Sequence, residues 1–378
     1  MKTLTLKEMR LINFGCFKDY EIEFSPEKNV IAGANGSGKT TIADAFSWVF
    51  TDKLMNGTSG DPIPHDEQGR PLSNGETIVT IYASVNDLDY IFEKLARRTY
   101  KGNDHIYSIN GVQMGAKAFR EALIDIFGVT QEQFGYCISA AHFLKNDTAT
   151  RRSILFNLVD IDGDYKLADD SVEFKEIAYL FCEFEPIESL LKTFRKAING
   201  SGKCNRGLLG EINDNLVSKN EIGIAMRHIP NNEYLLARAQ MLDEDAKGLT
   251  RQLVDLERTM DLLKRFAKYK TEVYAERINA EFGTAEFVFT EPTNTGDPKD
   301  ICDLRYKGER YGKRLNTGAR VIMDCDIVKG FQKAYGVQFP LFIDNAESLT
   351  LSSVYSAREG VSQYIALLAE DCELTIEH

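Results

Sequence analysis

No stretch of this chain is apolar for long. Nothing in its 378 residues approaches the roughly 20 consecutive apolar residues that cross a bilayer. The first residues, Met1-Lys2-Thr3-Leu4-Thr5-Leu6-Lys7, alternate like a strand and lack the apolar centre of a signal peptide. A cytoplasmic protein with no membrane partner is the expectation. Paired cysteines are missing too. The seven cysteines lie far apart and no two form a C-x-x-C pair, so zinc and dithiol motifs are absent. Scattered thiols in a chain of this length suit a reducing compartment. The five histidines show no metal-ligand spacing. Basic charge is in short supply, with 45 Lys and Arg against 57 Asp and Glu and a net charge of −12. That argues against a surface that coats nucleic acid along its whole length. It leaves room for a local basic face. Arg305, Lys307, Arg310, Lys313, Arg314 and Arg320 cluster with Tyr306 and Tyr311 interleaved, and Arg97, Arg98 and Lys101 form a smaller group. Each reads equally well as a nucleic-acid contact and as a solvated loop.

A composition of 43% hydrophobic and 27% charged residues is globular, with length for two domains or for one domain carrying a large insertion. The most informative segment is Gly33-Ala34-Asn35-Gly36-Ser37-Gly38-Lys39-Thr40. It fills every fixed position of the phosphate-binding pattern G-x-x-x-x-G-K-[ST]. The apolar run Asn29-Val30-Ile31-Ala32 leads in, and the helix-like run from Thr41 to Phe50 leads out. Strand, loop and helix in that order turn backbone N–H groups toward a triphosphate. The expected nucleotide contacts are Asn35, Gly36, Ser37, Gly38, Lys39, Thr40 and Thr41. Lys39 is expected to reach the β- and γ-phosphates, and the Thr40 hydroxyl to ligate Mg²⁺.

Short strands are expected at 4–12, 18–24 and 28–33, then a Gly- and Pro-rich loop over 53–75. β-patterned runs follow from Thr77 to Val85, Tyr90 to Tyr100 and His105 to Ile109, with a turn at Asn110-Gly111 and a helix from Ala116 to Phe127; Arg151 to Leu158 begins another. From Leu235 the positions Ala239, Leu242, Ala246, Leu249, Leu253, Leu256, Met260 and Leu263 step by four and three. That is a heptad seam, whose partner is expected in the Ile187 to Ile222 segment. Gly200-Ser201-Gly202-Lys203 copies letters of the phosphate loop but follows a helical run and lacks the first glycine, so it is a decoy. Thr284 to Phe289 is strand-like and Thr290 to Asp300 reads as a loop. Phe339-Pro340-Leu341-Phe342-Ile343-Asp344 is a buried strand ending in an acid, the Walker B form that anchors a Mg²⁺ shell.

The N-terminal phosphate loop, heptad rod and C-terminal Walker B strand together resemble the SMC and SbcC-type DNA-repair ATPases. Leu11-Ile12-Asn13-Phe14-Gly15-Cys16-Phe17-Lys18 looks like that family's first strand turn, and Ile343-Asp344-Asn345-Ala346-Glu347-Ser348 is similar to its shorter phage branch. Leu315-Asn316-Thr317-Gly318-Ala319 sits where the family carries its ABC signature. The resemblance implies an α/β fold, an ABC-type P-loop NTPase head with a mixed β-sheet and an inserted antiparallel coiled coil. The division implied is 1–184 for an N-terminal ATPase lobe, 185–282 for the coiled coil and 283–378 for a C-terminal lobe. It further implies ATP and Mg²⁺ as cofactors, DNA and an SbcD-type nuclease as partners, and an ATP-dependent homodimer. Asn316, Thr317 and Gly318 of one head would contact the nucleotide held by the other.

This chain departs from that pattern. Asn345 stands where relatives carry a catalytic glutamate after the Walker B acid, and an amide cannot take a proton from water. Glu347 is the nearest carboxylate, either the base or a surface residue at the dimer contact. The signature lacks its usual serine. No glutamine marks a Q-loop, near which Ala141-His142-Phe143 falls, and no switch histidine follows Walker B before His378. These gaps predict slow hydrolysis, and they keep open a nucleotide-gated clamp with little turnover. A small-molecule P-loop kinase is a third reading, disfavoured by the rod.

Overall fold

The computed structural model describes residues 1–60, 76–99, 102–160, 162–181, 186–201, 203, 232–292, 298–312 and 315–378. The first part runs β1 (Lys2–Phe14), β2 (Phe17–Glu23), β3 (Lys28–Gly33), α1 (Lys39–Thr51), β4 (Glu76–Val85), β5 (Leu88–Thr99), β6 (Gly102–Ile109) and β7 (Val112–Met114). Helices follow: α2 (Ala116–Phe127), α3 (Gln131–Ile138), α4 (Ala140–Leu144), α5 (Thr148–Phe156), α6 (Asp164–Asp169), α7 (187–201) and α8 (Asn232–Asn279). The last part is β8 (Ala285–Pro292), β9 (Pro298–Tyr306), β10 (Glu309–Arg310), α9 (Thr317–Tyr335), β11 (Val337–Gln338), β12 (Leu341–Ile343), α10 (Leu351–Arg358), β13 (Tyr364–Ala369) and β14 (Thr375–Glu377). Two compact units result: Met1–Val159 with Ala275–His378, and Asp160–Tyr274.

In the first unit a seven-stranded sheet runs β11-β1-β4-β5-β6-β7, with β2 on β1, and a four-stranded sheet runs β12-β13-β3-β14. The hairpin turns Asn86-Asp87 and Asn110-Gly111 have both central residues at positive φ, at 48° and 65° and at 50° and 80°. That is the turn whose twist matches paired strands. α1 lies between the two sheets, and this explains why nearly every residue from Ile42 to Thr51 is buried. Phe46 packs on Phe342 of β12 at 5.1 Å between ring centroids, and Phe50 on Phe92 of β5 at 5.1 Å. Phe127, Phe134 and Phe339 close the same aromatic core. A helix fixed on both faces holds its N-terminus rigidly at the end of β3.

Both ends of the segment from Thr290 to Asp300, read as a loop, are strand, and residues 293–297 between them lie outside the described residues. β8 and β9 pair Thr290 with Asp300 and Pro292 with Pro298. The prolines suggested a loop, yet they stand at the strand ends, where a missing N–H costs no ladder bond. The basic run is divided: Lys313 and Arg314 lie outside the described residues, as do residues 61–75 of the long loop.

The second unit is helical. Leu167, Phe174, Ile177, Phe181, Ile187 and Leu190 pack with Leu262, Leu263 and Phe266 of α8, and Lys270 pairs with Asp164 at 2.7 Å. Along α8 the seam residues Leu242, Ala246, Leu249, Leu253, Leu256, Met260 and Leu263 are buried or half-buried, while most residues between them are exposed. The side chains of Leu235 and Ala239 and most of the second arm, 204–231, lie outside the described residues. Gly200 sits at the end of α7, a helical setting unlike a phosphate loop.

Candidate nucleotide site

β12, β13 and β3 run parallel, with Ile343 level with Ala366 and Ala366 level with Val30. Their C-terminal ends therefore share one edge of the sheet, and adjacent strands lie about 4.8 Å apart. The phosphate loop leaves β3, and Asp344 leaves β12, two strands away, on the order of 10 Å across the sheet. Polypeptide from near both termini thus meets in one place.

Within the loop the Lys39 ammonium donates to the Gly33 carbonyl at 2.7 Å and the Ala34 carbonyl at 2.9 Å. Gly38 precedes α1 at φ 104°. A Cβ there would sit 2.4 Å from Phe17 Cζ and 2.8 Å from Cys16 Sγ, so a glycine is required by both conformation and space. The Ser37 hydroxyl is buried with no hydrogen-bond partner, a group that an incoming phosphate oxygen would satisfy. Asn35 and Gly36 form the turn between Gly33 and Ser37, and Thr40 and Thr41 follow Lys39 in the first turn of α1.

A cavity of 240 Å³ adjoins this loop, lined among others by Thr40, Asn56, the 139–141 segment, Asp324, Asp344 and Asn345. Burial pushes the Asp344 carboxyl up, Glu347 adds to that, and the Asn345 N–H and Lys39 oppose it. Asp44, one turn beyond Thr40, is also raised by burial and by Asp344, against the Met55 N–H that it accepts at 2.8 Å. The Thr40 hydroxyl and Asp344 carboxylate are hard oxygen ligands, a small set that suits Mg²⁺ sharing its shell with phosphate oxygens. With the unpartnered Ser37 hydroxyl, they fit a Mg–triphosphate.

Glu347 is placed elsewhere. Asn345 adopts a left-handed conformation at φ 55°, and the Ser348 N–H and hydroxyl donate to its carbonyl at 3.0 and 2.8 Å. This tight turn carries Glu347 back to the end of β13, where it accepts the Ala369 N–H at 3.2 Å. Glu347 is exposed and does not line the cavity. Asn316 caps α9, accepting the Ala319 N–H at 2.7 Å. A Cβ on Gly318 would come within 2.8 Å of the Ser348 carbonyl, so the start of α9 packs on the Asn345–Ser348 turn. Asn316 and Thr317 are exposed, and the 316–318 segment does not line the cavity of its own chain.

A family model described as an AAA domain matches residues 8–280, well over half of the chain. The chain belongs to this AAA domain family. Its matches among known proteins lie with SMC and RecF proteins. The chromosome partition protein Smc of Mycolicibacterium paratuberculosis is 32% identical over 128 residues, 32% of this chain and 11% of that protein. Structural maintenance of chromosomes protein 4 of Schizosaccharomyces pombe is 31% identical over 128 residues, 32% of this chain and 10% of that protein. The DNA replication and repair protein RecF of Carboxydothermus hydrogenoformans is 24% identical over 183 residues, covering 44% of this chain and 51% of RecF. The head therefore spans about a tenth of the Smc proteins and about half of RecF in the aligned region. Among solved structures, an Smc head domain from Pyrococcus furiosus bound to the C-terminal domain of ScpA aligns over 97% of this chain and 90% of its own, at 15% identity and TM-score 0.46. A RecF–ATP structure aligns over 99% and 94%, at 12% identity and TM-score 0.44.

The residues least visible in the sequence of this AAA-family chain are Asp324 and His142. His142 follows the 139–141 cavity wall, and its Nε2 lies 3.0 Å from the Leu54 carbonyl and 3.2 Å from the Ser47 hydroxyl. A carbonyl only accepts, so Nε2 carries the proton. Burial, then Lys53 and Lys145, lower its pKa to about 4. The unfolded chain, with an ordinary histidine pKa near 6.5, binds more protons between those values. Stability from this group is therefore present above pH ~6.5 and lost as pH falls toward 4, by up to about 3 kcal/mol. Urea titrations at pH 7 and 4.5 should show that loss, and His142→Gln should flatten it; an unflattened pH dependence would remove His142 as its source.

Proposed function

We propose that this head binds ATP with Mg²⁺, hydrolyses it, and acts on DNA as a pair of heads closed around two nucleotides. The observation that carries the reading is the shared sheet edge, which puts Lys39, Thr40 and Asp344 around one loop and cavity while the 316–318 segment lies outside it. Lys39 and the N–H groups of residues 35–41 bind the phosphates. Thr40 and Asp344 would hold Mg²⁺, which would supply charge stabilisation for the transferred phosphoryl group. The start of α9, exposed beside the Asn345–Ser348 turn, offers its N–H groups to a neighbour's γ-phosphate. Loss of that phosphate then weakens the pair, which makes hydrolysis a release step.

Chromosome partition and replication-repair proteins among the relatives support DNA as a partner. Arg310 pairs with Glu291 at 2.7 Å and Asp303 at 3.0 Å, so a phosphate contact through it must displace carboxylates. A nuclease subunit of the SbcD type is the protein partner proposed from the sequence resemblance, and residues 185–282 are proposed as a coiled-coil insertion between lobes 1–184 and 283–378.

With Mg–ATP, the Glu347→Gln protein should sediment as a dimer, because Glu347 sits at the exposed turn where the heads meet and a neutral side chain there repels less. A monomer at high protein concentration would overturn the paired-head reading. Asn345 favours a second reading, a nucleotide-gated clamp with little turnover. Phosphate release that DNA accelerates would eliminate it.

A further inference from the structure

The position after Asp344 is an amide, and Glu347 lies on the Ala369 N–H away from the cavity. Hydrolysis still requires a proton acceptor near the triphosphate. The cavity contains a second carboxylate besides Asp344. Asp324 projects from α9, two turns beyond the start of the helix, into the space lined by Thr40, Ser139, Asp344 and Asn345. We propose that Asp324 is the carboxylate that accepts the proton of the attacking water in this head.

Asp344 is the poorer candidate because a carboxylate engaged with Mg²⁺ must stay ionised. Asp324 has no such task. Its Oδ1 accepts the Tyr311 hydroxyl at 2.8 Å, which fixes the carboxyl group, and the residue lines the cavity. Burial raises its pKa to about 6, against the Tyr311 hydrogen bond and Arg320, which lower it. A base with that pKa is ionised at neutral pH and accepts a proton without a large penalty. The charged and titratable groups around it are few. Its own helix contributes Arg320 and the buried Cys325 thiol, the segment after β10 contributes Tyr311, and the end of β12 contributes Asp344. Lys39 and Glu347 act on Asp344 in turn, and Asp344 acts on Asp44. The α3–α4 wall, residues 138–141, offers apolar side chains, one serine hydroxyl and backbone.

The step is balanced. The water oxygen bonds to the γ-phosphorus while the bond from that phosphorus to the β–γ bridging oxygen breaks. ADP leaves with the bonding electron pair. One water proton passes to Asp324, which becomes a carboxylic acid and returns the proton to solvent as phosphate departs.

The inference rests on reading the cavity as the γ-phosphate side of an ATP site, so binding and turnover are measured separately. Calorimetry with Mg–ATPγS and single-turnover phosphate release from ATP are followed from pH 5 to 9 in the whole chain. Wild-type release should rise with pH through about 6. Asp324→Asn should lower it about 100-fold at pH 7.5 and abolish that rise, with nucleotide affinity within about threefold; Asp324→Glu should restore part of the rate. Tyr311→Phe removes a hydrogen bond to the ionised form and should move the rise to higher pH. Should Asp324→Asn not fold, Tyr311→Phe carries the test, and an unmoved rise overturns the proposal. An Asp324→Asn protein with the wild-type rate and profile also overturns it, as does a wild type that binds Mg–ATPγS and releases no phosphate. A wild type that binds no nucleotide overturns the site reading, and this inference with it.

Discussion

Lys39→Ala should lower the affinity for Mg–ATP by about 100-fold or more while leaving the unfolding midpoint close to the wild-type value. The magnitude follows from what the ammonium does in each state. Without nucleotide it donates to the Gly33 and Ala34 carbonyls at the mouth of the loop. With nucleotide the same donors turn to β- and γ-phosphate oxygens, and hydrogen bonds between ions of opposite charge contribute about 1.5–3 kcal/mol each. Losing two such contacts exceeds the roughly 2.8 kcal/mol of a hundredfold change in affinity, at about 1.4 kcal/mol per factor of ten. Folding is affected far less, because the two carbonyls lie at a loop edge and water can replace the ammonium. Lys39→Arg is not a rescue: the side chain is only 9% exposed, and a planar guanidinium does not fit where a point charge reaches in. Calorimetry decides the matter; a Lys39→Ala protein that binds Mg–ATP with wild-type affinity would show that the triphosphate is held elsewhere.

The phosphate loop was readable because each of its letters answers to a local requirement. Gly38 has to be glycine for its dihedral and its nearness to Phe17 and Cys16, and the strand before and the helix after are fixed by short-range pattern. Asp344 was readable for the same reason, as an acid closing an apolar run. What could not be read is how distant segments face one another. Asp324 looks like one of many helical acids until α9 is seen to border the cavity of Thr40 and Asp344. The same holds for Leu167, Phe174, Ile177 and Phe181, which match no period until Phe266 of α8 fills the space between them. Glu347 shows the limit from the other side. Its nearness in sequence to Asp344 left a base and a surface residue at the dimer contact equally open, and the left-handed turn at Asn345 decides where it points. Asn tolerates that conformation better than most residues, a signal present in the sequence that the comparison with a glutamate obscured.

Asp52→Ala should destabilise the first unit by about 3 kcal/mol at pH 7, the low end of the cost of leaving a buried cation without its partner, because the carboxylate side of the pair is 37% exposed and partly screened by water. Asp52 follows α1 and binds three groups: the Lys94 ammonium at 2.5 Å, the Tyr107 hydroxyl at 2.6 Å and the Gln131 amide at 2.9 Å. Burial alone would raise its pKa, but Lys94 and these hydrogen bonds hold it below the usual carboxylate range. Lys94 is fully buried in the middle of β5, with the Trp48 ring 3.9 Å away and the Trp48 carbonyl at 2.8 Å. Desolvation lowers the ammonium to about pKa 8 even with Asp52 present. Between that value and the ordinary lysine value near 10.4 the unfolded chain binds more protons, so in the wild type the cost of burying this charge is relieved as pH rises from 8. Removing Asp52 lowers the lysine further, and relief in the variant begins at lower pH. The stability gap between Asp52→Ala and wild type should therefore narrow between pH 7 and 9. Adding Lys94→Met should recover most of the loss at pH 7, since a similar apolar side chain leaves no charge to satisfy. Urea unfolding at the two pH values measures both effects. A gap below about 1 kcal/mol at pH 7, the range of an exposed ion pair, would show that solvent reaches Lys94 and that this cluster does not anchor α1 to the sheet.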